Sequence, residues 1–188
     1  MEELFIYVQL GFKHISDLKG YDHILFIITL CAIYKAREWK KVLLLITAFT
    51  LGHSVTLALA AFHIVVVNTY IVELLIPFTI LLTSIFNIIY TSKRNFLIFH
   101  YIMASIFGLV HGMGFSNFFN SISIDGRILV PLMGFNIGLE IGQFLIVTLF
   151  FTIYIIILKW KKVNHQYWKL FFSGAGALTS VFLIIERF

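Results

Sequence analysis

The 188-residue chain is 60% hydrophobic and 12% charged, whereas an ordinary soluble domain is about 45–50% apolar and about 25% charged. With a mean hydropathy of +0.97 and a single cysteine, Cys31, a soluble globule, an intrinsically disordered chain and a disulfide scaffold are all excluded. The net charge of +5 is no nucleic-acid footprint, because the bases sit between apolar runs and form no continuous stripe.

What remains is an all-α, polytopic transmembrane helix bundle. At about 20 residues per crossing, the chain has room for six or seven helices in a single transmembrane domain, 1–188. Met1-Glu2-Glu3 lacks the basic start of a signal peptide, so the first segment is expected to be retained. Leu4 to Phe12 is too short to cross and reads as an interfacial or re-entrant piece. Long apolar runs then predict six spans at 17–36, 42–62, 70–90, 96–118, 128–158 and 167–185. Pro131 suits the first turn of the fifth.

Alternate connections differ in charge. Lys35, Arg37, Lys40, Lys41, Lys93, Arg94, Lys159, Lys161, Lys162 and Lys169 fall in one set, and Lys13, Lys19, Arg127 and Arg187 in the other. The basic set is expected to be cytoplasmic, which leaves both termini outside. Trp39, Trp160 and Trp168 lie in or beside the basic loops, where an interfacial aromatic belt belongs.

Ionisable side chains inside spans are costly in lipid, so each one is a functional hypothesis with a partner to be found. His14, Asp22 and His23 open the first span, His53 lies in the second, Glu73 in the third, His111 in the fourth and Glu140 in the fifth. At a rise of about 1.5 Å per residue, Asp22, His23 and Glu73 fall within about 5–10 Å of the outer surface and His111 at about 8 Å. His53 and Glu140 fall near the midplane. Asn136, Glu140 and Gln143 share one helix face. The set describes a vestibule that opens outward and descends to mid-membrane.

Imidazole nitrogens and carboxylate oxygens without thiolate form a ligand set for Ni²⁺, Co²⁺, Zn²⁺ or Fe²⁺. Asp17, Ser54, Asn136 and Gln143 are candidates for orienting the ligands through hydrogen bonds. Blander readings stand beside these. Any one intramembrane histidine can be a hydrogen-bonded core residue, Glu73 an interfacial cap, and Asn136 and Gln143 a tie between helices. His63, His100 and His165 read as solvated loop residues, and Cys31 as a buried thiol. Gly134, Gly138 and Gly142, like Gly108, Gly112 and Gly114, are spaced for close helix packing. Contact between the fourth and fifth spans would bring His111 toward Glu140.

Five ordered motifs then resemble a known family. They are His14 through Gly20-Tyr21-Asp22-His23-Ile24-Leu25-Phe26; Thr47 to Ser54, with Leu51-Gly52-His53-Ser54; Val72-Glu73; Phe107 to Phe115, with Val110-His111-Gly112-Met113-Gly114; and Phe135-Asn136-Ile137-Gly138-Leu139-Glu140-Ile141-Gly142-Gln143. Together they resemble the HupE/UreJ family of small bacterial membrane proteins over about residues 11–145. The resemblance implies a nickel or cobalt permease of the bacterial inner membrane. Its implied metal ligands are His14, Asp22, His23, His53, Glu73, His111 and Glu140.

The residues themselves leave three readings open. One is a permease for Ni²⁺, Co²⁺ or Zn²⁺, another an intramembrane metallohydrolase with Glu73 or Glu140 as general base, and the third a structural subunit with a closed metal site. The partners are the metal ion and the lipid bilayer, with no nucleic acid, and homo-oligomerisation is compatible with each reading. Beyond Asn87, the sequence pattern shows no polar path in the inner half of the bundle.

Overall fold

A computed structural model describes residues 2–18, 20–65, 68–89, 96–122, 128–161 and 163–188. The described residues form seven α-helices and no strand. These are α1 (Glu2–Ser16), α2 (Asp22–Cys31), α3 (Trp39–Ala61), α4 (Thr69–Ile89), α5 (Phe96–Ile122), α6 (Leu129–Lys161) and α7 (His165–Arg187). A single 3-10 turn, Ala36–Glu38, precedes α3. Helices α3 to α7 are each long and apolar enough to cross a membrane, as the long apolar runs require. Lys19, Lys93, Arg94, Arg127 and Lys162, used in the charge count, lie outside the described residues, as do the side chains of Lys159, Trp160 and Lys161.

The expected first span, 17–36, holds only the short helix α2, and the piece expected before it belongs to a helix of its own, α1. A turn separates α1 from α2, whose lengths of 15 and 10 residues correspond to about 22 Å and about 15 Å. Neither crosses a bilayer alone; end to end they are more than long enough for about 30 Å of hydrocarbon. The N-terminal segment is therefore a half-length helix aligned with the bundle. It runs parallel to α6, because Gly134 meets Leu4, Gly138 meets Val8 and Gly142 meets Ile15. A Cβ at Gly138 would collide with the Val8 carbonyl, and one at Gly11 with the Phe135 carbonyl. Glycine permits this backbone approach, and nothing larger does.

A second parallel pair is built the same way. Gly52 lies against Ser105, Gly108 against Phe49 and Gly112 against His53, which joins α3 to α5. The hydroxyls of Thr56 and Ser105 donate across this seam to the carbonyls of Leu109 (2.9 Å) and Ala48 (3.1 Å). The glycines thus serve packing as expected, but with different partners: those of α5 face α3, and those of α6 face α1.

This pairing decides what else α6 can reach. Glu140 is two residues from both Gly138 and Gly142, and at about 100° per residue it points about 200° away from the face that holds α1. It is exposed, on the same side as Met133, Ile137 and Phe144.

Helix α7 runs antiparallel to α4, with Arg187 beside Glu73 and Gly176 beside Ser84. Both termini consequently lie at one end of the bundle. At the opposite end, Trp168 is buried against Phe150, Tyr154 and Phe172, whereas Trp39 is exposed. His100 is fully buried there and hydrogen-bonded to the Tyr34 hydroxyl at 2.8 Å, and His165 Nε2 bonds the Ile33 carbonyl at 3.1 Å. Neither is the solvated loop residue expected. His63 is exposed, and Cys31 is a buried free thiol.

Candidate metal centre

Four helices deliver one histidine each to the same level of the bundle. His14 ends α1, His23 opens α2, His53 lies midway along α3 and His111 in α5. Ring centroids are 4.6 Å apart for His14 and His23, 5.9 Å for His14 and His53, and 5.0 Å for His23 and His111. One nitrogen from each of His14, His23 and His53 falls within 4.8 Å of the others. Two of the close approaches described above cause this convergence. Gly108 and Gly112 press α5 onto the His53 turn of α3, and the α6 glycines seat α1 so that His14 meets Phe115 and Phe135 at 4.1 Å and 5.5 Å.

Hydrogen bonding selects the free nitrogen in two of the rings. Asp22 Oδ1 lies 3.1 Å from His23 Nδ1 and accepts the His23 backbone N–H at 2.9 Å. A carboxylate only accepts, so Nδ1 carries the proton and Nε2 keeps its lone pair. Thr79 donates its one hydroxyl proton to the Ile76 carbonyl at 2.7 Å, so toward His111 Nε2, 3.1 Å away, it can only accept. His111 is therefore protonated on Nε2 and has its lone pair on Nδ1. The remaining nitrogens, His23 Nε2 and His111 Nδ1, are buried without a hydrogen-bond partner among the described residues, as are His14 Nε2 and both nitrogens of His53. Buried polar atoms ordinarily find partners, so a cluster of orphaned lone pairs calls for a missing ligand.

The orientation of His23 traces back to a proline. Pro77 lies inside α4 and has no N–H for the carbonyl four residues earlier, that of Glu73. The Arg187 guanidinium takes that carbonyl at 2.8 Å and reaches Asp22 Oδ2 at 3.2 Å. Arg187 thus fixes Asp22, and Asp22 fixes His23. A ligating imidazole whose other N–H is held by a carboxylate is the usual arrangement at metal sites.

A cavity of about 340 Å³ adjoins the cluster, lined among others by His14, Asp17, Asp22, His23, Glu73 and Arg187. Asp17 and Glu73 are exposed and His23 is buried, so the cavity leads from the end carrying both termini down to the imidazoles. Glu73 is a mouth residue, and its carbonyl, not its carboxylate, makes the recorded hydrogen bond.

The graded depth expected between His23 and His53 is absent, because α1 already spans the outer half and α2 begins only where α1 ends. Glu140 does not join the histidines and is withdrawn as a ligand at this centre, since the α6 glycine face is taken by α1. Gln143 is buried and accepts from Thr50 at 2.9 Å, which makes it a tie between α3 and α6. Ser54 donates to its own helix at Thr50. Asn136 is half-buried, and its Oδ1 has no partner among the described residues. Sequence reasoning missed Thr79, Pro77 and Arg187. A proline inside an apolar span and a lone arginine at the far end of another were the available signals.

The fold and site define an all-helical membrane protein with an internal histidine centre. A family model described as HupE / UreJ protein matches residues 1–186, and the chain belongs to that family. No curated protein matches, and no solved structure does.

Proposed function

We propose that this protein is a permease for a divalent transition metal ion, Ni²⁺ or Co²⁺, in the bacterial inner membrane. Both termini and the cavity face outward. The observation that carries the proposal is the convergence of His14, His23 and His53 within 4.8 Å with their orphaned nitrogens turned into a buried site. Imidazoles without thiolate suit borderline divalent ions. Asp17 and Glu73 at the mouth attract the cation, and the carboxylate of Asp22 compensates part of the charge brought into the bundle. The imidazoles replace the hydration shell. Three protein ligands leave coordination positions for water, so the ion is held without being locked in.

The same geometry supports a second reading. Three imidazoles with an open position and a carboxylate, Glu73, in the adjoining cavity are also the components of a hydrolytic metal site.

The test uses purified protein in liposomes loaded with a metal-sensitive dye. Influx of Ni²⁺, Co²⁺ and Zn²⁺ is followed for wild type and His53→Ala, and bound metal is quantified on the same samples. Saturable influx lost in His53→Ala supports the permease. Retention of about one ion per chain without influx overturns it, and hydrolysis of lipid or peptide by that loaded protein would establish the second reading. Retention with neither activity would leave a structural site.

A further inference from the structure

Beyond Asn87 the sequence pattern offered no polar route in the inner half of the bundle, yet further buried polar side chains lie near Asn87 in the structure. On the buried face of α4, the turns after Thr79 bring Thr83, Ser84 and then Asn87, two residues from the helix end. Thr29 of α2 and Ser84 meet across Gly176 of α7, Ser173 lies one turn before Gly176 on α7, and Thr29, Ser84, Asn87 and Ser173 are all completely inaccessible. Asn87 donates to the Thr29 carbonyl at 2.7 Å. Four oxygens nevertheless have no hydrogen-bond partner among the described residues: Thr29 Oγ1, Ser84 Oγ, Asn87 Oδ1 and Ser173 Oγ.

Serine and threonine in apolar helices usually satisfy themselves on the carbonyl one turn back, as Thr83 does on Thr79 at 2.8 Å. Three hydroxyls that do not, from three helices, mark a place where something else supplies the bonds. The seam is closely packed in this conformation. Gly176 of α7 sits opposite, and a Cβ there would lie 2.5 Å from Thr29 Oγ1 and 2.8 Å from Ser84 Oγ, so nothing larger than glycine fits beside the two hydroxyls.

Between the seam and the histidines stands Phe26. It is one turn from both His23 and Thr29 on α2, fully buried, and packed on His111 and Phe49 at 4.9 Å and 5.1 Å.

We propose that the α2–α4–α7 seam is the inward release path for the partly hydrated divalent ion, closed in this conformation by Phe26. The inference rests on the permease reading and supplies the second half of its route. The chemistry suits release. Neutral hydroxyl and amide oxygens bind a borderline divalent ion far more weakly than imidazole does, and conduction needs sites weak enough to leave. Water between these oxygens would carry the ion's remaining shell and satisfy the orphaned atoms in its absence.

The experiment compares influx and bound metal in liposomes for wild type, Gly176→Ala, Ser84→Val and Ser84→Ala. The expected result is metal binding within about twofold of wild type in all three, with influx reduced tenfold or more by Gly176→Ala and Ser84→Val, which fill the seam, and less by Ser84→Ala. Wild-type influx with unimpaired influx in both filling variants overturns the release path and leaves the permease standing. Absence of influx in wild type overturns both. If a filling variant does not fold, hydration is read directly with Ser84→Cys in a Cys31→Ala background. Modification by a small charged thiol reagent, with none of Leu45→Cys in the same background, supports a wet seam, and equal resistance of both overturns it.

Discussion

Replacing Asp22 by asparagine tests the chain of positioning that ends at His23. The carboxylate makes three hydrogen bonds in opposite directions: Oδ1 accepts from the His23 backbone N–H and faces Nδ1, and Oδ2 accepts from Arg187. An amide can satisfy only one side. With its oxygen toward His23, its NH₂ meets the guanidinium, donor against donor; reversed, it meets both His23 donors. Either way a hydrogen bond to a charged group is lost, which costs about 1.5–3 kcal/mol. At about 1.4 kcal/mol per decade, metal affinity should fall roughly tenfold to a hundredfold, the range usual for removing a group that orients a ligand. The assay is a Co²⁺ titration of purified protein followed by its visible absorption. Asp17→Asn at the exposed mouth should change affinity by less than about threefold. Arg187→Gln should weaken binding moderately and combine less than additively with Asp22→Asn, because both act through one carboxylate. Wild-type affinity in Asp22→Asn would refute the positioning argument.

Four further outcomes are expected. Because the imidazoles bind metal only when neutral, acidification should release the metal with uptake of protons; acid release without proton uptake in equilibrium titrations would exclude histidine ligation. Gly138→Val should lower thermal stability, since its side chain collides with the Val8 carbonyl, while Gly174→Ala, with open space around it, should not; overpacking of this kind costs about 1–3 kcal/mol, read as a shift in Tm. Glu140→Gln should leave metal affinity at the histidine centre within about twofold, and a tenfold loss would restore Glu140 to the site. His100→Ala should destabilise the fold by about 1–3 kcal/mol by orphaning the Tyr34 hydroxyl, with metal affinity unchanged.

Much of the site was legible because the bilayer makes polar residues conspicuous. His14, Asp22, His23, His53 and His111 stand out in apolar runs, since each would be costly in hydrocarbon without a partner. Glu140 stood out for the same reason and was misplaced. Hydropathy identifies an intramembrane carboxylate but says nothing of which way its helix is rotated, and α6 is turned by the docking of its glycines on α1. Thr79 and Ser84 stayed hidden because a hydroxyl in an apolar helix is ordinary until its hydrogen bonds are counted.

Composition and hydropathy by themselves determined that this is a membrane-embedded helical bundle, because so many long apolar runs have no stable place in water. They also singled out a histidine set without thiolate as the candidate site. Only the tertiary structure decided that two short helices, α1 and α2, meet where His14 faces His23, that α1 pairs with α6 and α3 with α5, and that Arg187 closes the Pro77 gap to hold Asp22. Those outcomes depend on helix rotation and on contacts between residues as many as 165 positions apart. No periodicity within a single segment encodes either one.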